Sequence, residues 1–216
     1  EFRRVLFRSE SYGIMKQDGS IDGIELVTLP ADLYSHRHTF NWANWCEELR
    51  PVAKGHYGSG NGMHIHINRK AVSQLTMGKM LVFMNATANI EFLSTIAQRS
   101  IARNNWCSMD STTYDKVGKC GKAGNMSGKY SALNITYHTM EMRIFNATLL
   151  PERIIKNLEF CHALVRYCEQ ESARRLSATR MIDYVMAERK TYPELSAFIH
   201  KRIILPAEIE ANREAA

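Results

Sequence analysis

The chain has 216 residues, 45% of them hydrophobic, and a formal net charge of +6. That length buries one sizeable core and favours a single domain, and no run approaches the eighteen consecutive apolar residues of a membrane span. Cysteines stand at 46, 107, 120, 161 and 168 with no C-x-x-C pair, which suggests neither a zinc knuckle nor a disulfide framework and fits reduced thiols in a cytoplasmic protein.

The first nine residues, EFRRVLFRS, share no pattern with the rest of the chain and read as a cloning or assembly scar, with the chain beginning inside a gene. From Tyr12 to Pro30, two short strands are expected around the turn dipeptides Asp18-Gly19 and Asp22-Gly23. Residues 32–50 read as helical, with Trp42, Trp45 and Leu49 at helical spacing. A glycine-rich loop comes next, and then the strand GMHIHIN. Ser73 is placed to cap a helix from Gln74, and a second helical run carries Ile90, Leu93 and Ile96 up to Arg99. Residues 104–128 read as a loop. Tyr130–Leu149 alternates as two strands or one long bent one. Pro151 fits the first turn of a long helix, two short helices are expected at about 177–190 and 193–202, and residues 206–216 are expected to fray. The class is α+β, in one domain over 10–205, with sheet and site in 12–150 and helices in 151–205.

Two strands carry candidate chemistry. In GMHIHIN, alternation sends Met63, Ile65 and Ile67 to one face and His64, His66 and Asn68 to the other. Imidazole there serves as a metal ligand or as a donor to an oxyanion. In TMEMRIFN, Met140, Met142 and Ile144 share one face, and Glu141, Arg143 and Phe145 the other. A carboxylate beside a guanidinium suits a hard cation next to a phosphate clamp. The positive charge is concentrated too. Between Arg99 and Lys129 there are six Lys/Arg against only Asp110 and Asp115, whereas residues 151–216 hold eleven against ten. Within that region the lysines at 116, 119, 122 and 129 lie among four glycines, a composition suited to anions but without the Walker A pattern.

The segments DGSIDGIELVTLP, GMHIHINR, GKYSALNI and TMEMRIFNATL, in that order, resemble the amidoligase family of the glutamine synthetase and glutamate–cysteine ligase superfamily. The resemblance runs from about Met15 to Leu150. It implies a curved antiparallel sheet of the glutamine synthetase catalytic-domain type, with helices packed on one face. It also implies an ATP-dependent carboxylate–amine ligase that uses Mg²⁺ or Mn²⁺ and forms an amide through an acyl phosphate. Glu25, Glu141 and His64 would match metal ligands. Arg143, with His64 and Glu141, would match the catalytic set, Arg143 stabilising the transferring phosphate. His66, Arg99, Lys122 and Lys129 are the candidates for holding the nucleotide, the lysines as a lid. The substrates would be a small-molecule or peptide carboxylate and an amine, with no membrane partner and no oligomeric state implied. Relatives open with a Glu-x-Glu strand that is not found here, so the domain is expected to be N-terminally incomplete and weak in binding Mg-ATP. Two rivals stay open: a metal-dependent hydrolase built on His64, His66 and Glu141, and a nucleic-acid-binding module using the basic loop, Trp106 and Tyr114.

Overall fold

The computed structural model describes residues 13–18, 23–55, 61–101, 107 and 131–214. The architecture is mixed α+β with two small antiparallel sheets, neither of them closed. Strands β1 (Gly13–Asp18) and β2 (Gly23–Thr28) pair as a hairpin. A second sheet has the order β3-β5-β4, made of Gly62–Asn68, Thr139–Asn146 and Leu133–Ile135, with β5 central. Both neighbours run antiparallel to β5.

The helices start where the sequence supplies a side-chain acceptor for an orphan backbone N–H. Asp32 accepts from the Ser35 amide at 2.7 Å and opens α1 (Leu33–His38). Asn41 accepts from Asn44 and opens α2 (Trp42–Leu49). The single helix expected over 32–50 is therefore two, because Asn41 offers a new cap before the first has propagated. Ser73 caps α3 (Gln74–Asn85), and α4 spans Ile90–Ala97. Pro151 occupies the first turn of α5 (Pro151–Gln170). Then come α6 (Ala178–Ala187), capped by Ser177, α7 (Pro193–Ile199) and, beyond a π turn at His200–Ile204, α8 (Leu205–Glu214). The frayed tail expected over 206–216 is thus helical as far as Glu214. Its Glu- and Ala-rich composition has high helix propensity, and Pro206, which cannot donate within a continuing helix, stands just after the π turn at His200–Ile204.

One face of the three-stranded sheet joins the main core. Met140, Met142, Leu133 and Ile135 are almost fully buried, in a cluster with Met80 and Met84 of α3, Leu93 and Ile96 of α4, and Phe160 and Leu164 of α5. A smaller cluster gathers Phe40, Trp42, Trp45, Cys46 and Ile154, with Leu26 of the hairpin packed against it. Met63 touches both clusters. Helix α5 is the common spine, packing against α1, α2, α3, α6 and α7. All four described cysteines, 46, 107, 161 and 168, are free and buried. Among the described residues no single helix is long and apolar enough to cross a membrane. The pair at 74–85 and 87–97 passes that test only jointly, with a 70° bend.

Two charged side chains lie inside this core. Lys156 is 1% exposed, donates to the Ile96 carbonyl in the last turn of α4, and sits over the Phe198 ring. Burial, assisted by Arg153, pulls its ammonium down to about 7. A lysine depressed in the folded state is more protonated in the unfolded chain between about pH 7 and 10.5, so stability rises with pH there. The Lys156 contribution should climb by about 1 kcal/mol per pH unit near pH 8, against an opposing slope from the buried thiols, which begin to ionise there in the unfolded chain. Urea unfolding of the parent and of a Lys156 variant separates the two. Lys156→Met should flatten that slope. Glu159, the second buried charge, is 0% exposed, accepts from Arg37 and from the Leu195 amide, and so joins α1, α5 and the first turn of α7.

Candidate functional site

The site lies on the face of the three-stranded sheet opposite the main core. Its register puts three polar residues in one row: His66 of β3 opposite Glu141 of β5, and Asn134 of β4 opposite Glu141 from the other side. Alternation explains this row, since the neighbours Ile65, Ile67, Met140, Met142, Leu133 and Ile135 occupy the core face. The row is a direct consequence of period two.

A bulge then changes the parity. Between the pairs Ile65–Met142 and Met63–Phe145, β5 advances three residues while β3 advances two. Phe145, expected beside Glu141 and Arg143, is consequently turned into the core, where it is 0% exposed and meets the Phe160 ring edge-on. Ile144 is buried as well. The kink leaves Arg143 on the polar side and brings His64, opposite the extra residue, towards Glu141.

Glu141 is the hub. Its Oε1 lies 3.2 Å from His64 Nδ1 and 4.0 Å from His66 Nε2, and bonds Arg143 Nη1. Its Oε2 accepts from Asn134 Nδ2 at 3.0 Å. The carboxylate is nearly buried, at 10% exposure, while His64 and His66 remain 34% and 55% exposed. Burial alone pushes a carboxyl pKa up. Here the hydrogen bonds from His64 and Asn134 and the charges of Arg143 and His64 outweigh it, and Glu141 is held at about 2. His66 also engages Thr139 through Nδ1 at 3.3 Å.

Arg99 enters from just beyond α4. The left-handed Gln98, at φ 57°, ends that helix and turns the chain. Arg99 Nη1 then reaches the Phe145 carbonyl at 3.4 Å. Cys107 is fully buried and feels both Arg99 and Arg143; its burial nonetheless dominates and raises the thiol.

His64, His66, Glu141 and Arg143 are therefore brought together, and Arg99 lies beside them. Glu25 faces Lys16 across the hairpin and pairs with its Nζ at 2.9 Å. Lys122 and Lys129, and with them Lys116, Lys119, Trp106 and Tyr114, lie outside the described residues. Asn134 belongs to the site although strand alternation did not single it out. Its signal was weak but present, a lone amide between Leu133 and Ile135 in an otherwise buried strand. A shallow cleft of about 340 Å³ lined by Tyr167, Glu171, Arg180 and Tyr184 shares no residue with this cluster.

No family model matches the chain, and no curated protein or solved structure is similar to it at a significant level.

The donor set decides which groups fit. Two divalent cations need several carboxylate oxygens. Among the described residues no group of three or more His, Cys, Asp or Glu side chains is arranged to hold a metal ion. Glu141 is the one acid of the cluster, and Arg143, His64 and Asn134 already occupy its oxygens. A pair of metal ions does not fit these residues. The charge suits an anion better: among the described residues one guanidinium, that of Arg143, and two imidazoles gather at a single carboxylate.

Proposed function

We propose that this chain is an ATP-dependent carboxylate–amine ligase and that the Glu141 cluster is its phosphate-handling centre. On this reading the hairpin and the three-stranded sheet are pieces of one curved antiparallel sheet of the glutamine synthetase type. The observation that carries the proposal is the meeting of two motifs far apart in sequence. The H-x-H pair and the E-x-R pair converge on one carboxylate, with the basic side chains outnumbering the acid.

The chemistry asks for that composition. Joining a carboxylate to an amine in water is uphill, so a carboxylate oxygen first attacks the γ-phosphorus of ATP, giving an acyl phosphate and ADP. Phosphoryl transfer relies on positioning and charge neutralisation more than on covalent help from the protein. Arg143, oriented by Glu141, would steady the oxyanion that develops. His66, with its exposed edge, would meet the nucleotide's phosphates. The amine nitrogen then attacks the acyl carbon and phosphate leaves. None of these assignments passes through a metal ion.

Calorimetric titration with ATP tests the reading, together with hydroxylamine as a generic amine that traps an acyl phosphate as a hydroxamate. The expected result is weak but saturable ATP binding, with hydroxamate formation matching whatever ADP is released when the right carboxylate is present. Arg143→Lys should keep the nucleotide and lower turnover by about 10²-fold or more, the scale of a lost oxyanion contact. Absence of ATP binding would overturn the proposal. So would ATP hydrolysis indifferent to any carboxylate, which points to a hydrolase.

A further inference from the structure

We propose that the cleft between α5 and α6 is a binding site for a free α-amino acid with an aromatic side chain. The cleft holds about 340 Å³ and shares no residue with the Glu141 cluster. A volume at the small end of ligand pockets suits one amino acid better than a nucleotide. Its walls follow from helix spacing. Tyr167, in the last turn of α5, and Glu171, which follows that helix, form one side. Arg180, Asp183, Tyr184 and Ala187 stand at i, i+3, i+4 and i+7 along α6 and form the other. Ser177, the cap of α6, donates its amide to the Tyr167 hydroxyl at 3.2 Å, so the two walls are tied together where α6 begins.

The charges point to a zwitterion. Arg180 and Asp183 are one turn apart, a spacing at which opposite charges ordinarily pair. Here they do not. Arg180 turns its Nε to Glu171 Oε2, 3.2 Å away, close enough for attraction but without hydrogen-bond geometry. Its terminal nitrogens meet no acceptor among the described residues, and the exposed Asp183 carboxylate has no counter-ion among them. Glu171 is already engaged, its Oε1 accepting from the Ser172 amide at 2.9 Å and facing Arg175 Nε at 3.9 Å. The cleft therefore offers one guanidinium fork and one unpaired carboxylate, on the same face of one helix. A ligand with both an anionic and a cationic group answers both, its carboxylate on Arg180 and its ammonium on Asp183. A lone anion would be repelled by Asp183, and a lone cation by Arg180. Beyond the charges the lining is aromatic. The rings of the half-buried Tyr184 and of Tyr167 lie 5.8 Å apart at 45°, and a further ring extends such a tilted pair favourably. Ala187, with only a methyl group, leaves room for it.

The site goes beyond the ligase reading and stands without it. To test it, protein labelled at its tyrosine rings is titrated with L-phenylalanine, with phenylethylamine, which lacks the carboxylate, and with phenylpropionate, which lacks the ammonium. The Tyr184 ring resonance, assigned with Tyr184→Phe, is the readout. L-Phenylalanine should move it saturably. Each half-ligand should bind more weakly by about threefold to fivefold, the scale of an ion pair at a partly exposed site. Asp183→Asn strands no partner among the described residues, so it should fold with unchanged circular dichroism and bind phenylalanine no better than phenylpropionate. Arg180→Gln should likewise remove the preference over phenylethylamine. Should loss of its contact with Glu171 unfold the protein, Asp183→Asn decides alone. The site is overturned if phenylalanine leaves the resonance unmoved, if either half-ligand binds as tightly as phenylalanine, or if Asp183→Asn keeps the parent's preference.

Discussion

Glu141→Gln is expected to cost the fold about 3 kcal/mol at neutral pH, the scale for stranding a buried charge. Glutamine keeps the volume and can still meet Asn134, but Arg143, itself only 11% exposed at its side chain, loses its counter-ion. The pH profile gives the sharper signature. Glu141 is held at about 2 in the fold against 4.5 in the unfolded chain. A depressed carboxyl contributes stability that is complete above about pH 4.5 and is lost as pH falls towards 2. That gap is worth about 3 kcal/mol. Urea midpoints of the two proteins should accordingly converge between pH 4.5 and 2. Parallel curves across that range would show that the Glu141 interactions contribute nothing net.

The second large effect belongs to the helical layer. Glu159→Leu is expected to destabilise by about 3–5 kcal/mol, because it strands Arg37 and the Leu195 amide together. Arg37 Nη2 bonds Glu159 Oε1 and the Thr191 carbonyl, both at 2.6 Å, and Leu195 donates to Glu159 Oε2 at 2.7 Å. Burial pushes the Glu159 carboxyl up, and the hydrogen bonds from Leu195 and Arg37 recover only part of that shift. A raised carboxyl stabilises most at low pH and loses that contribution as pH rises through its folded value. The ion pair is therefore expensive to hold at neutral pH, and the double variant Arg37→Met/Glu159→Leu should be less damaged than the sum of the singles. Chemical denaturation of the four proteins measures the coupling. Strict additivity would mean the two side chains do not interact energetically.

Much of the candidate site was legible because strand alternation is a strong rule. A residue's face follows from parity alone, and parity sent His64, His66, Glu141 and Arg143 to one side. It failed at Phe145, where a bulge adds a residue and resets the count; nothing in the string TMEMRIFN marks that insertion. Asn134 escaped notice because its strand is three residues long, too short to show a period. Arg37 and Glu159 are 122 positions apart, and no local pattern connects them. Helix starts were readable wherever a capping residue stood before an apolar run, as at Ser73 and Pro151. The break at Asn41 inside the 32–50 segment is hidden in the sequence because Trp42, Trp45 and Leu49 keep helical spacing right up to it. Glu25 was assigned by resemblance, and its partner Lys16 lies directly opposite in a hairpin whose register the sequence alone does not give.

The spine helix Pro151–Gln170 has a consequence for synthesis. Elements before it supply both clusters with apolar faces, but Ile154, Phe160 and Leu164 complete them from residues made late. Chains grow from the N-terminus at about 5–20 residues per second. The residues before Pro151 therefore spend seconds on the ribosome with apolar faces that Ile154, Phe160 and Leu164 have yet to cover. Contacts of such long sequence separation form late and slowly. A nascent chain stalled before that point would lack Ile154, Phe160 and Leu164 in the two clusters and would present the apolar surface they cover to chaperones.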